Sequence, residues 1–146
     1  MKVCLDIFQV QKGWMGTGCT DKGIGALILP HADRAKIKEE LECCFSGWEF
    51  TQSVLKRGPF DDRDRKELIR DLRSYFEGER KELHYEVDWE CCGYTDFQKK
   101  ALMSTYRIPY GISKTYREVA EDSGHPRAYR AAGGAMNKNR IPLVVP

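Results

Sequence analysis

The chain has 146 residues and a mass of 16.8 kDa, room for one medium domain or two small ones and too little for a barrel enzyme or a large doubly wound dehydrogenase. Its 41% hydrophobic and 32% charged residues, with six Phe, seven Tyr and three Trp, exclude a disordered chain. The net charge of +2 hides two halves of opposite sign: residues 1–94 carry 15 Lys and Arg against 18 Asp and Glu (−3), and residues 95–146 carry 9 against 4 (+5).

Along the first thirty residues, VCLDIFQV alternates partly, Gly13, Gly16 and Gly18 punctuate, Asp21-Lys22-Gly23 reads as a turn, and GALIL is a short apolar run. The pattern predicts a small antiparallel sheet. Asp33 then precedes RAKIKEELECCF, in which Ile37, Leu41 and Phe45 recur at helical spacing, so an amphipathic helix is expected there. The Gly-Pro break and dense charge of KRGPFDDRD, Lys56 to Asp64, predict a loop, after which Asp64 or a neighbour caps a second helix, RKELIRDLRSYFEG, ending at Gly78. Leu68, Leu72, Tyr75 and Phe76 are expected to form its buried stripe. LHYEVDW, Leu83 to Trp89, reads as a last strand or an extended linker.

From Thr95 the pattern changes to three helices in quick succession. Thr95 with Gln98 and Thr115 with Glu118 are Ser/Thr-x-x-Glu/Gln capping boxes, opening TDFQKKALMSTYR and TYREVAEDSG, the latter closed by Gly124. Pro126 reads as an N1 proline opening PRAYRAAGGAMNKN after a turn of about three residues. The last two helices form a helix-turn-helix, whose second helix normally lies against DNA. The domain organisation expected is an α/β scaffold over residues 1–92 and a helix-turn-helix domain over 93–146. A basic module beside an acidic one suits a nucleic-acid-binding domain attached to a scaffold.

The third of these helices carries two adjacent glycines, Gly133 and Gly134, each costing about 1 kcal/mol relative to alanine inside a helix. With Ala128, Ala131, Ala132 and Ala135 they make a smooth surface, and Arg127 and Arg130, three apart, read as neighbours on one face. Such a helix suits a nucleic-acid groove, with arginine free to reach phosphates or the base stack. It equally suits tight helix–helix packing with solvated arginines. Tyr116, directly after a cap, reads by itself as a core aromatic, and Asn139 and Pro142 as a helix end and a strand-edge proline.

The residues from Phe97 to Pro146 carry a family resemblance. FQ (Phe97, Gln98), IPYG (Ile108 to Gly111), TYREVA (Thr115 to Ala120), RAAGGAMNKN (Arg130 to Asn139) and IPLVVP (Ile141 to Pro146) resemble, in order and spacing, the C-terminal domain of the O6-alkylguanine-DNA alkyltransferases, or methylated-DNA–protein-cysteine methyltransferases. SYFEG, Ser74 to Gly78, also resembles the helix end that precedes this domain in the family. The resemblance implies an α+β protein with an N-terminal ribonuclease-H-like sheet-and-helix domain followed by a winged-helix-like helix-turn-helix domain. It also implies a DNA repair protein that binds duplex DNA through the minor groove and flips O6-alkylguanine out for transfer of the alkyl group to a cysteine. Flipping costs a few kcal/mol of unstacking.

Position by position, the resemblance makes Arg130 the finger that replaces the extruded base and Tyr116 the ring that crowds the flipped nucleotide's phosphate. Thr115, Arg117 and Arg127 join them as DNA contacts, and Ala128, Ala131 and Gly133 face the groove. Asn139 becomes the hinge between recognition helix and active-site strand, and Pro142 lines the guanine pocket with Tyr116 and Asn139. The nucleophilic cysteine of a Pro-Cys-His-Arg motif would follow Pro146 directly, so no catalytic residue is expected within residues 1–146, and these residues by themselves are expected to be inactive. The alternative is a non-catalytic alkyltransferase-like protein that recognises alkylated guanine without transfer. A helix-turn-helix transcription factor would not need the Asn-x-Ile-Pro strand expected after its recognition helix.

No apolar run approaches the roughly 18 residues of a membrane span, and MKVCLDIFQVQKG lacks the features of a secretory signal. The expectation is a cytoplasmic, DNA-associated monomer whose partner is double-stranded DNA containing O6-alkylguanine, with no membrane contact. Cys4, Cys19, Cys43, Cys44, Cys91 and Cys92 are then reduced packing thiols, none with the histidine arrangement of a nucleophile. Cys4, Cys19 and His84 are conceivable zinc ligands, but their spacing matches no compact pattern, so neither metal nor cofactor is assigned.

Overall fold

The computed structural model describes residues 1–54, 58–79, 82–91, 93–109 and 111–145. Lys56 and Arg57 of the charged loop, Cys92, Tyr110 of the IPYG segment and Pro146 lie outside the described residues. The chain is mixed α+β, with one four-stranded sheet and five helices among the described residues, and divides into two compact units, Met1–Cys92 and Gly93–Pro146.

In the first unit, β1 (Lys2–Val10), β2 (Gly13–Thr20) and β3 (Gly23–His31) form an antiparallel meander in which Cys4 stands opposite Cys19 and Phe8 opposite Met15. Gly23 closes the second turn with φ +149°, and a Cβ there would lie 2.6 Å from the Glu86 carbonyl oxygen, so only glycine fits. Thr20 secures the same turn: its hydroxyl accepts from the Lys22 amide at 3.1 Å and donates to Asp88 at 2.6 Å. Residues 83–89 are extended rather than a full strand, joined to the sheet by one bridge between Val87 and Ile24. A short strand unforeseen in the sequence, β4 (Glu49–Thr51), adds in parallel to β1 and sets the order β3-β2-β1-β4.

Helix α1 (Arg34–Cys44) starts where Asp33 accepts from the Ala35 amide at 2.9 Å, and it buries Ile37, Leu41 and the following Phe45 against one sheet face with Val3 and Ala26. Gly16 and Gly18 of β2 allow that approach: a Cβ at Gly16 would lie 2.6 Å from Ile37 Cγ2, and one at Gly18 would overlap the Phe45 ring. Helix α2 (Asp62–Phe76) is capped by Asp61, with Asp64 returning the bond to the Asp61 amide. It buries Leu68 and Leu72, whereas Tyr75 and Phe76 are half-buried and meet edge to face, 5.2 Å between centroids. Arg65 fixes α2 to β1 by donating to both Asp6 carboxylate oxygens at 2.7 and 2.9 Å, and Arg73 caps the Phe8 ring at 5.7 Å. Burial opposes the Arg65 charge, but the Asp6 bonds outweigh it and hold the guanidinium above its ordinary value.

Cys4 and Cys19 are buried, Cys91 and Cys44 half-buried, and Cys43 is exposed, so Cys43 does not serve the packing role expected of it. Burial, aided by the Asp6 charge, pushes the Cys4 thiol up to about 11, and burial raises Cys19 as well. Because the unfolded chain gives up the Cys4 proton first, near the ordinary value of 9.0, the stability gained from keeping that thiol neutral is complete below that pH. It is lost as the pH climbs toward 11. At neutral pH, iodoacetamide is expected to modify Cys43 and spare Cys4 and Cys19 in peptide mass maps; equal labelling would contradict this burial.

In the second unit, α3 (Asp96–Tyr106), α4 (Tyr116–Asp122) and α5 (Tyr129–Asn137) enclose a core of Ala101, Val119, Ala120, Ala132 and Ala135, flanked by Phe97 and Met136. The Thr95–Gln98 box is complete, with reciprocal bonds of 3.2 and 3.1 Å. At Thr115 only the first half forms: its hydroxyl accepts from the Glu118 amide at 3.1 Å, and the returning bond is absent. Gly124, at φ +81°, closes α4, with amide bonds from Gly124 to Glu121 and from His125 to Ala120.

Pro126 does not open the last helix. It occupies the second position of a turn closed by the Ala128 amide on the His125 carbonyl at 2.9 Å, a place its fixed φ suits, and α5 begins three residues later with Ala128 as an uncapped N-cap. The connection from α4 therefore runs from Ser123 to Ala128, longer than the sequence suggested. The helix also ends at Asn137, before Asn139.

Candidate nucleic-acid interface

Helices α4 and α5 bring the N-terminus of one against the face of the other. Tyr116, the first residue of α4, is 55% exposed, and a Cβ on Gly133 would meet its ring carbons at 3.2 Å, so the ring lies on the bare backbone of α5. Arg117 is exposed beside it, with its guanidinium 5.8 Å from the centroid of the Tyr129 ring. Tyr129 is itself 43% exposed, a residue the sequence reading missed; a lone aromatic in a run of small residues carries no periodic signal.

Further along α5, Arg130 and Ala131 are exposed and Gly133 is half-buried. Gly134 has nothing within 4 Å of where its Cβ would be, so internal packing gives no reason for the second glycine. Arg127 and Ala128 belong to the turn before α5, which corrects the expectation that Arg127 and Arg130 share a helix face. Arg127 is exposed and Ala128 half-buried. Among the described residues, Arg127 and Arg130 form no ion pair, and α5 carries no carboxylate, so its positive field is uncompensated on the helix itself. Thr115 is exposed; its oxygen serves the cap, and its hydroxyl hydrogen remains available to donate.

The position of α4 is fixed from below by Asp122, which accepts from Ser104 of α3 at 3.1 Å and from Lys114 at 2.5 Å. The Lys114 bond, then the Ser104 bond, hold its carboxyl below the ordinary carboxylate range. Lys114 is thereby committed to holding α4 in place.

Asn139 and Pro142 belong to a different element. The expected strand after Asn139 is a turn over residues 139–145: the Asn139 amide oxygen accepts from the Ile141 amide at 2.9 Å, and its amide nitrogen donates to the Val145 carbonyl at 2.8 Å. The Val145 amide returns to Ile141 at 2.9 Å, and Leu143 adopts φ +75°. Burial of Ile141, Val144 and Val145 favours this closed form over an extended one, and the Tyr94 hydroxyl accepts from the Arg140 amide at 3.0 Å. Pro142 is half-buried within the turn.

A cavity of about 480 Å³ belongs wholly to the first unit and is lined by Cys4, Cys19, Thr20, Trp48 and Asp88 among others. Within it the Asp88 carboxylate accepts from Thr20, Glu90 and Cys91, and both thiols are neutral at physiological pH. Among the described residues, no group of three or more His, Cys, Asp or Glu side chains could hold a metal ion, and no helix is long and apolar enough to cross a membrane.

The DNA-binding domain of 6-O-methylguanine DNA methyltransferase matches residues 96–146. That segment is similar to this family's DNA-binding domain. Over 81 residues the chain is 41% identical to the methylated-DNA–protein-cysteine methyltransferase of Methanosarcina barkeri, covering 56% of this chain and 49% of the relative. Over 80 residues it is 39% identical to the constitutive enzyme of that name from Bacillus subtilis, covering 55% and 47%. The matches thus span about half the length of these methyltransferases. A solved structure of Mycobacterium tuberculosis OGT in complex with DNA is similar in fold, with a TM-score of 0.64 at 24% identity, over 100% of this chain and 75% of that one.

Proposed function

We propose that this chain is a protein of the methyltransferase family that binds duplex DNA through the minor groove with α4 and α5 and extrudes O6-alkylguanine, for transfer of the alkyl group to a cysteine. In the family arrangement that cysteine directly follows the position of Pro146. The observation that carries the reading is the pairing of Tyr116 with Gly133 beside Arg130: an exposed ring on bare helix backbone, next to an arginine with no ion pair among the described residues. A minor-groove binder needs this combination of a small-residue surface, a wedge and a cation. In this reading Arg130 enters the stack and Tyr116 crowds the rotating phosphate. Thr115, Arg117 and Arg127 donate to the backbone, and Ala128, Ala131 and Gly133 face the groove. Asn139 sets the turn that presents Pro142 to the base.

On this reading the first unit, residues 1–92, is a ribonuclease-H-like scaffold, and residues 93–146 are a winged-helix-like DNA-binding domain. The three-stranded meander extended by parallel β4 supports the former, and the α3–α4–α5 order the latter. The protein acts inside the cell as a monomer on DNA containing O6-alkylguanine.

Arg130→Ala separates flipping from binding. With 2-aminopurine at the lesion position, the variant is expected to lose most of the fluorescence rise that reports unstacking, while duplex affinity falls only about threefold to tenfold, the worth of one cation in the groove. Equal loss of both would remove the finger role from Arg130.

A further inference from the structure

Tyr129 opens α5 directly before Arg130, half in water and outside the helical core. Tyr129 and Gly133 are four apart, one turn of helix, so the Arg117 guanidinium on Tyr129 stands one turn before the Tyr116 ring on Gly133. The two contacts seat consecutive residues of α4 on consecutive turns of α5. A cation over an aromatic face uses the flat side of the guanidinium and leaves its N–H edge free to donate. An exposed arginine without such a partner must be ordered on binding, which costs affinity.

Resting on the duplex-binding reading above, we infer that Tyr129 is a positioning residue: its ring holds the Arg117 guanidinium ready for a backbone phosphate while the neighbouring Arg130 faces the groove. The ligand atom is a phosphate oxygen. Tyr129 acts through Arg117 and contributes no sequence preference of its own.

The test measures affinity of the 146-residue chain for an unmodified duplex across a salt series, for the wild type, Tyr129→Phe, Tyr129→Leu, Arg117→Ala and the Tyr129→Leu/Arg117→Ala double variant. Leucine keeps apolar bulk and removes the aromatic face. Tyr129→Leu is expected to weaken binding about threefold, in keeping with an exposed cation–aromatic pair. It should also make the log–log salt slope shallower by up to about 0.9, the share of one phosphate contact. Tyr129→Phe should match the wild type, and the double variant should bind no more weakly than Arg117→Ala. A Tyr129→Leu slope equal to the wild type's, or losses that multiply in the double variant, would overturn the positioning role. A wild-type chain that does not bind duplex would instead overturn the duplex-binding reading, and this inference with it. Thermal unfolding of each variant separates these results from misfolding, and the Arg117→Ala background gives a second measurement that does not depend on the stability of Tyr129→Leu alone.

Discussion

Gly133→Leu is expected to abolish duplex binding, by at least about 100-fold, while the chain remains folded. The ring carbons of Tyr116 stand 3.2 Å from where a Cβ would be, so the new side chain must push the ring off α5 and fill the surface that approaches the groove. The helix itself gains from the change, since leucine is favoured over glycine by nearly 1 kcal/mol in a helix interior. Because Tyr116 is more than half exposed, its displacement opens no core cavity. Circular dichroism and thermal unfolding against duplex affinity check both halves, and unfolding in place of lost binding would favour the packing reading of α5. Gly134→Ala is the companion: nothing within 4 Å resists it, so it should stabilise α5 by up to about 1 kcal/mol.

The largest effect on stability belongs to the first unit. Gly18→Val is expected to cost about 3 kcal/mol, the upper part of the range for overpacking a closed core. Its Cβ would overlap the Phe45 ring and come within 3.3 Å of Leu5 Cδ2, and Phe45 is 1% exposed and stacked edge to face on Trp48 at 5.4 Å, so the ring has nowhere to turn. Relief requires α1 to rise from the sheet, which would uncover Ile37 and Leu41. Denaturant unfolding measures the loss. A variant as stable as the wild type would mean that α1 packs farther from β2 than described.

Much of this fold is legible in the sequence where one physical signal dominates. Ile37, Leu41 and Phe45 at helical spacing after Asp33 specify α1 and its buried face, and Thr95 with Gln98 specifies the start of α3. Three residues of β4 are too few to show alternation, and the strand exists because β1 offers a free edge. Pro126 is compatible with both a helix start and a turn; the His125 carbonyl, accepting from Ala128, selects the turn, a choice made by backbone geometry that composition does not record. After Asn139, the run Ile141 to Val145 reads as a strand until the Asn139 side chain takes both ends of the segment into a turn. The candidate interface was legible through joint spacing: Tyr116, Gly133 and Arg130 are each ordinary alone. The contact between Tyr116 and Gly133 unites residues 17 apart in the chain, which local periodicity does not reach.

The most direct test of minor-groove binding through α5 is competition on one A·T-rich duplex. Binding of the 146-residue chain is measured with netropsin filling the minor groove, and again with bulky 5-substituted pyrimidines projecting into the major groove. The expected result is that netropsin displaces the chain and that the major-groove substituents leave its affinity unchanged. Binding that survives netropsin and is lost to the major-groove substituents would contradict a minor-groove mode.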